Sequence, residues 1–321
     1  MNKKINSLYR TYRASDWGGI IGQGHVTQTL ANQVKNGRVG HAYLFCGTRG
    51  TGKTSVARIF AAEVNGGKGN GLDTFEIDAA SNNSVDNIRE LVEKTKYPPS
   101  FAKYKVYIID EVHMLSTSAF NAFLKTLEEP PSHVIFILCT TEPHKLPQTI
   151  QSRCLRFDFH SVSSAEIAKL LEKVFAQENI TATPGAVKML ADAGRGSVRD
   201  ALSFAETAAA FAAGGAKINI TEKDVATVLG TVDAKVLDAL IDAVLAGDSK
   251  TILELTDKIF AQGLNKNALV RDVMRLLMQR HATKADKKLV ALLQKFAELE
   301  MSIKTAVDAQ TLFEATCIVG V

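Results

Sequence analysis

The chain has 321 residues, 46% hydrophobic and 22% charged, the make-up of an ordinary soluble globular protein with room for about two or three domains. No apolar stretch approaches the length of a bilayer span, and the basic start MNKKINSLYRTYR lacks the apolar core of a secretion signal, so a cytoplasmic protein with no membrane partner is expected. The net charge of +4 is unevenly placed: residues 1–60 hold nine Lys or Arg against one acid, giving +8 there and −4 elsewhere, so phosphates are the expected partner of the basic end.

In chain order, short apolar runs alternate with longer amphipathic stretches up to about residue 160. That is the pattern of a parallel sheet flanked by helices. Strands are expected at 41–46, 73–78, 104–109, 133–139 and 154–158, and helices at 24–36, 53–65, 84–96 and 116–128. Ser84 is the expected N-cap of the third helix, and Pro130 and Pro131 stop the fourth. NGGKGNG, residues 65–71, reads as a flexible surface connection.

Beyond Ser161 the strand signals fade. Helices are expected near 164–178, 184–193, 197–213 and 221–229, then, after a boundary at Gly230, near 233–246, 249–262, 265–281 and 286–319. The last of these reads as one long helix or as two with a break near Thr305 to Gln310. Apolar residues at three- and four-residue spacing say that these helices pack. The expected organisation is an α/β domain over 1–161 and two helical units, 162–229 and 230–321, with no internal repeat.

Residues 47–54 read GTRGTGKT, a complete G-x-x-x-x-G-K-[ST] phosphate loop between the apolar run HAYLF and the amphipathic stretch TSVARIFAAEV. Gly47, Gly50 and Gly52 let the backbone turn tightly with its N–H groups inward, Lys53 sets a charge against the β- and γ-phosphates, and Thr54 offers a hydroxyl to Mg²⁺. A glycine-rich turn without ligand is the bland alternative, and the flanking strand and helix argue against it. Downstream, VYIIDEVHML ends an apolar strand in Asp110 and Glu111. At a strand's carboxyl end an aspartate can hold the Mg²⁺ shell while the next glutamate orients the attacking water. The strand VIFILC runs into Thr140 and Thr141, either of which could place a hydroxyl near the γ-phosphate. Four cysteines, Cys46, Cys139, Cys154 and Cys317, are scattered without a C-x-x-C pair. Zinc is not expected, and Cys46 and Cys139 read as core residues in a reducing compartment.

Longer stretches carry a resemblance: LYRTYR at 8–13, IIGQGHV at 20–26, HAYLFCGTRGTGKTS at 41–55, EIDAASNNSVDNIREL at 76–91, VYIIDEVHMLSTSAFNAFLKTLEEPP at 106–131, VIFILCTTEPHKLPQTIQSRCLRF at 134–157 and GSVRDALS at 196–203. In these the chain resembles the gamma/tau clamp-loader ATPases of bacterial DNA polymerase III, within the AAA+ superfamily. The resemblance is dense over residues 8–210 and thins afterwards. It implies an AAA+ P-loop domain followed by a helical lid and a helical collar, with ATP and Mg²⁺ as the cofactors and no zinc.

By the same resemblance, Gly47, Thr48, Gly50, Thr51, Gly52, Lys53, Thr54 and Ser55 bind nucleotide, Tyr9, Tyr12, Arg13, Ile20 and Ile21 wrap the adenine, and Thr54 and Asp110 hold Mg²⁺. Glu111 positions water, Thr141 resembles the first sensor with Thr140 left open, Arg199 resembles the second sensor, and Arg153 of SRC resembles an arginine finger reaching a neighbouring subunit. The implied partners are delta and delta-prime subunits, further copies of this chain, the sliding clamp, primed DNA and DNA polymerase III. Three departures stand out. NGGKGNG sits where the family commonly has a four-cysteine zinc module, Ala14 stands where a proline is common, and the chain stops at Val321, like the short form with a brief collar. A branch-migration motor shares the loop, acidic pair and sensors, but SRC and EIDAASNN argue against it. The intact Lys53, Asp110 and Glu111 argue against a non-catalytic scaffold.

Overall fold

The structure is a computed structural model and describes residues 7–67, 72–213, 218–230, 232, 234–261, 266–283 and 286–319. It divides into two compact units, Met1–Ala209 and Ala210–Val321. Residues 68–71 of the expected surface connection lie outside the described residues.

The first unit is built on five parallel strands: β1 (Ala42–Gly47), β2 (Thr74–Asp78), β3 (Lys105–Asp110), β4 (Val134–Thr140) and β5 (Leu155–Phe159), in the order β2-β3-β4-β1-β5. Among the described residues its helices are α1 (Leu8–Thr11), α2 (Gly24–Lys35), α3 (Lys53–Val64), α4 (Val85–Thr95), α5 (Thr117–Glu128), α6 (Gln148–Gln151), α7 (Ser164–Glu178), α8 (Pro184–Ala193) and most of α9 (Val198–Ala212), besides short 3₁₀ turns. The central strands are buried on both faces, and alternation sorts their side chains into two layers. Leu44, Tyr107, Ile109, Phe136 and Leu138 pack under Ile88 and Leu91 of α4 and Phe120, Phe123 and Leu127 of α5. Tyr43, Phe45, Ile108, Ile135 and Ile137 pack on Val26 and Leu30 of α2 and Val56, Phe60 and Val64 of α3.

Helix starts follow the side-chain capping chemistry in the sequence. Ser84 Oγ accepts from Asn87 N at the start of α4, Ser116 Oγ from Ala119 N at α5, and Ser163 with Glu166 forms a capping box at α7. Parallel pairing brings the carboxyl ends of β1, β3 and β4 to one edge of the sheet. Gly47, Asp110 and Thr140 are the last residues of those strands, so the phosphate loop and the acidic pair lie side by side.

The second unit is helical in its core: α10 (Glu222–Leu229), α11 (Ala234–Ala246), α12 (Ser249–Phe260), α13 (Lys266–Thr283), α14 (Lys287–Ser302) and α15 (Ala309–Ile318). Thr221 and Asp224 box the start of α10, and Gly230 ends it at φ 60°. Ile241, Val244, Ile259, Val273, Phe296 and Phe313 lie in one buried cluster, with Phe313 in edge contact with Phe260 and Phe296. The last segment is two helices rather than one. Asp308, accepting from Thr311 N, starts α15 six residues after Ser302. Among the described residues no helix is long and apolar enough to cross a membrane.

Candidate active site

The loop after β1 is a strained backbone held from both sides. Gly47, Gly50 and Gly52 lie at φ 148°, 75° and 104°. A Cβ on Gly47 would fall 2.4 Å from Phe159 O, and one on Gly50 would fall 2.0 Å from Ser197 Oγ. Only glycine fits at either place. Gly50 O also accepts from Val198 N at 3.1 Å, tying the loop to the start of α9. Gly52 is the N-cap of α3 and supplies no capping side chain, so the first-turn N–H groups are arranged for an anion.

Lys53 is buried, and its Nζ donates to Gly47 O at 2.8 Å and Thr48 O at 2.9 Å. Burial lowers its ammonium pKa from the usual lysine value, opposed by Cys139, Glu111 and Asp110. Thr54 Oγ1 donates to Asp110 Oδ2 at 2.7 Å, and Glu111 N donates to Asp110 Oδ1 at 3.0 Å. Hydroxyl and carboxylate oxygens side by side are the hard donors that Mg²⁺ takes, leaving the remaining positions to water and phosphate. Glu111 stands at φ 47°, a left-handed conformation unusual for glutamate. Its Oε2 accepts from Thr141 Oγ1 at 3.0 Å.

The two candidate threonines, the last residue of β4 and the first beyond it, meet different partners. Thr140, fully buried, meets His113 Nδ1 at 3.1 Å and accepts from Glu142 N at 3.0 Å. Thr141 lines the cleft and bonds the acidic pair.

The cleft has a volume of about 1200 Å³ and is also lined by Tyr9, Tyr12, Arg13, Ile20, Ile21, Thr48, Thr51, Ser55 and Arg199. The Arg199 guanidinium lies 4.9 Å from the centre of the Tyr9 ring. Arg13 Nε donates to Ser55 Oγ at 3.1 Å, and Tyr12 OH donates to Glu178 Oε1 at 2.7 Å. Burial, with Glu178 adding to it, pushes the Tyr12 phenol up to about 12. Arg153 is placed elsewhere. Its Nη2 pairs with Glu128 Oε1 at 2.7 Å, its Nη1 donates to Thr149 O at 2.7 Å, and it does not line the cleft.

Three supporting groups lie outside the set expected from the sequence. Gln23 is fully buried and clamps the loop to the end of β5, Nε2 donating to His160 O at 2.6 Å and Thr51 O at 3.4 Å while Oε1 accepts from His160 N at 3.2 Å. Ser197 caps α9 by accepting from Asp200 N at 3.1 Å. His113 lies between Glu142 and Glu111, its ring nitrogens 3.1 and 3.5 Å from their carboxylates. Only Ser197 carried a local signal, a serine before an amphipathic run. Cys46 and Cys139 are buried free thiols whose pKa burial raises.

Comparison with known proteins places this site in a family. The family model described as "DNA polymerase III, delta subunit" matches residues 22–76 and 68–163. "DNA polymerase III clamp loader subunit, ATPase lid domain" matches 166–214, and "DNA polymerase III subunits gamma and tau domain III" matches 220–309. A DNA polymerase III subunit gamma from Buchnera aphidicola is 40% identical over 295 residues, 86% of this chain and 80% of that protein. The chain belongs to the DNA polymerase III gamma/tau family.

Another gamma/tau relative, DNA polymerase III subunit tau of Bacillus subtilis, is 40% identical over 328 residues, 96% of this chain and 58% of its own length. The chain thus spans about half the length of the tau relatives it matches, 51% in Salmonella typhimurium. The RuvB Holliday junction branch migration motor of Thermotoga maritima superposes with a TM-score of 0.57 at 19% identity, over 73% of this chain and 79% of that one. At that identity the likeness is of fold, a P-loop parallel sheet with attached helices. For this gamma/tau chain, the lid match contains Arg199 and the domain III match lies within the second unit.

Proposed function

We propose that this chain is an ATPase subunit of a clamp-loading complex of DNA polymerase III, in which ATP binding and hydrolysis drive opening of a sliding clamp and its loading onto primed DNA. The observation that carries the chemistry is the contact chain Thr54–Asp110–Glu111–Thr141, closed by hydrogen bonds of 2.7, 3.0 and 3.0 Å beside the phosphate loop. In this reading the loop N–H groups and Lys53 hold the phosphates, and Thr54 and Asp110 hold Mg²⁺, which supplies neutralisation of charge on the β- and γ-phosphate oxygens. Glu111 orients and polarises the attacking water, with Thr141 fixing its carboxylate. Arg199 reads the γ-phosphate from the helical side of the cleft, and Tyr9, Tyr12, Arg13, Ile20 and Ile21 receive the adenine.

Arg153, outside its own cleft, is offered to the site of a neighbouring subunit. Hydrolysis therefore depends on assembly, because an arginine finger contributes roughly 10³–10⁵ in rate. The proposed domains are 1–161, 162–229 and 230–321, acting in the cytoplasm with delta, delta-prime and further copies of this chain. Contact with DNA is to backbone phosphate and weakens with salt. The test is steady-state ATP hydrolysis by the chain mixed with delta and delta-prime subunits, with and without sliding clamp and primed DNA. Strong stimulation by clamp plus DNA supports the reading, and a rate indifferent to both rejects it.

A further inference from the structure

His113 lies in the 3₁₀ turn directly after the acidic pair, its side chain only 6% exposed, yet both ring nitrogens meet polar groups. Nε2 is 3.1 Å from Glu142 Oε2, while Nδ1 is 3.1 Å from Thr140 Oγ1 and 3.5 Å from Glu111 Oε2. The ring thus approaches both carboxylates, one from each flanking strand end. Glu142 is also bonded by Lys145 Nζ at 2.9 Å, and that bond, the largest effect, lowers its carboxyl pKa below the ordinary value. Glu142 is therefore a carboxylate at neutral pH, an acceptor only, and the proton of its bond to the ring sits on Nε2.

Thr140 Oγ1 accepts from Glu142 N at 3.0 Å, so its own hydrogen is free for Nδ1. Tautomer and ring plane are thereby fixed from both ends, as the hydrogen-bond partners of a working histidine fix it. A buried apolar side chain would fill the same space without leaving polar groups to satisfy. What the imidazole adds is a ring edge fixed 3.5 Å from Oε2 of Glu111, a contact without a hydrogen bond that limits where that carboxylate can swing, on a residue whose left-handed backbone persists only where its surroundings over-determine it.

We propose that His113, held by Glu142 and Thr140, is a positioning residue for Glu111 and sets the orientation of the water-activating carboxylate. The inference rests on the ATPase reading above. Glu142 further opens the turn Pro143–Lys145, and Gln151 Nε2 binds Pro143 O at 3.1 Å and Leu146 O at 3.0 Å. The carboxylate is thus tied to the segment that carries Arg153 two residues on.

The experiment compares His113→Phe, His113→Gln, Glu142→Gln and Glu111→Gln in the assembled complex, measuring ATP affinity, kcat and Tm. His113→Phe lowers kcat roughly 10–100-fold with ATP affinity within about twofold of the parent, and His113→Gln, which restores a donor, recovers part of the loss. Glu142→Gln falls between parent and His113→Phe. In the Glu111→Gln background, His113→Phe has no further effect on kcat. A parental kcat in His113→Phe while Glu111→Gln is inactive overturns the inference alone. Loss of ATP affinity and Tm in step with kcat, without recovery by His113→Gln, also overturns it in favour of a packing role. Parental hydrolysis by Glu111→Gln overturns the water-activating role given to Glu111 in the reading above, and with it the basis on which His113 was assigned.

Discussion

The wall of the cleft beside the phosphate loop and the corner that carries Arg153 are built in opposite ways. At the wall, the loop after β1, the end of β3 and the end of β4 complete one another within the chain, through Thr54, Asp110, Glu111 and Thr141. At the corner, a guanidinium one-third exposed is held by Glu128 and Thr149 O, with nothing of the cleft beside it. On the proposed reading, one chain would supply the binding and water-activating half of a site, and the group that meets transition-state charge would be one that its own fold keeps out of the cleft. Dependence of rate on assembly would then follow from placement rather than from a conformational rearrangement inside one subunit.

Substitutions separate the two regions, the largest effect belonging to the corner. Arg153→Ala should cost the assembled complex roughly 10³–10⁵ of its stimulated rate while ATP still binds, read by steady-state hydrolysis against nucleotide titration. At the wall, Glu111→Gln should lower kcat roughly 10²–10⁴-fold with binding retained. An unchanged kcat would remove the water-orienting role.

The supports of the wall are expected to act through stability. Gly50→Ala places a methyl group against Ser197 Oγ at a backbone angle that alanine disfavours, and should destabilise the first unit by about 1–3 kcal/mol and weaken ATP binding, read by thermal melts with and without nucleotide. Gln23→Leu leaves His160 and Thr51 backbone groups without their partner and should cost about 1–3 kcal/mol in the same melts. The smallest effect is expected at the edge of the cleft, where Arg58 pairs with Glu76 through 2.5 and 2.6 Å contacts. Both side chains are a third to a half exposed, so Glu76→Gln should change stability by only about 0–1 kcal/mol.

The wall was also the more legible region. Strand ends fall within one or two residues of the expected bounds because apolar runs bracketed by turn signals mark both faces of a buried parallel strand. Ser84 and the Pro130-Pro131 stop acted locally and could be read locally. The choice between Thr140 and Thr141 could not be made that way. It depends on how the chain leaves β4, and only tertiary contact, of Thr141 with Glu111 and of Thr140 with His113, decides that. Gln23 and Glu128 were missed for the same reason. Each bonds a group far away in the chain, Gln23 with His160 and Glu128 with Arg153, and neither stands in a pattern of period two or three and a half.

The most direct test of Arg153 acting between subunits mixes two inactive chains, Glu111→Gln and Arg153→Ala, before assembly with delta and delta-prime subunits, clamp and primed DNA. Each variant alone should hydrolyse ATP slowly. In the mixture, some interfaces join an intact Glu111 to an intact Arg153 from the adjoining chain, and the account predicts recovery of a substantial fraction of the parental rate. A mixture no more active than its components, with assembly of both chains verified, would contradict it and return the arginine to its own subunit.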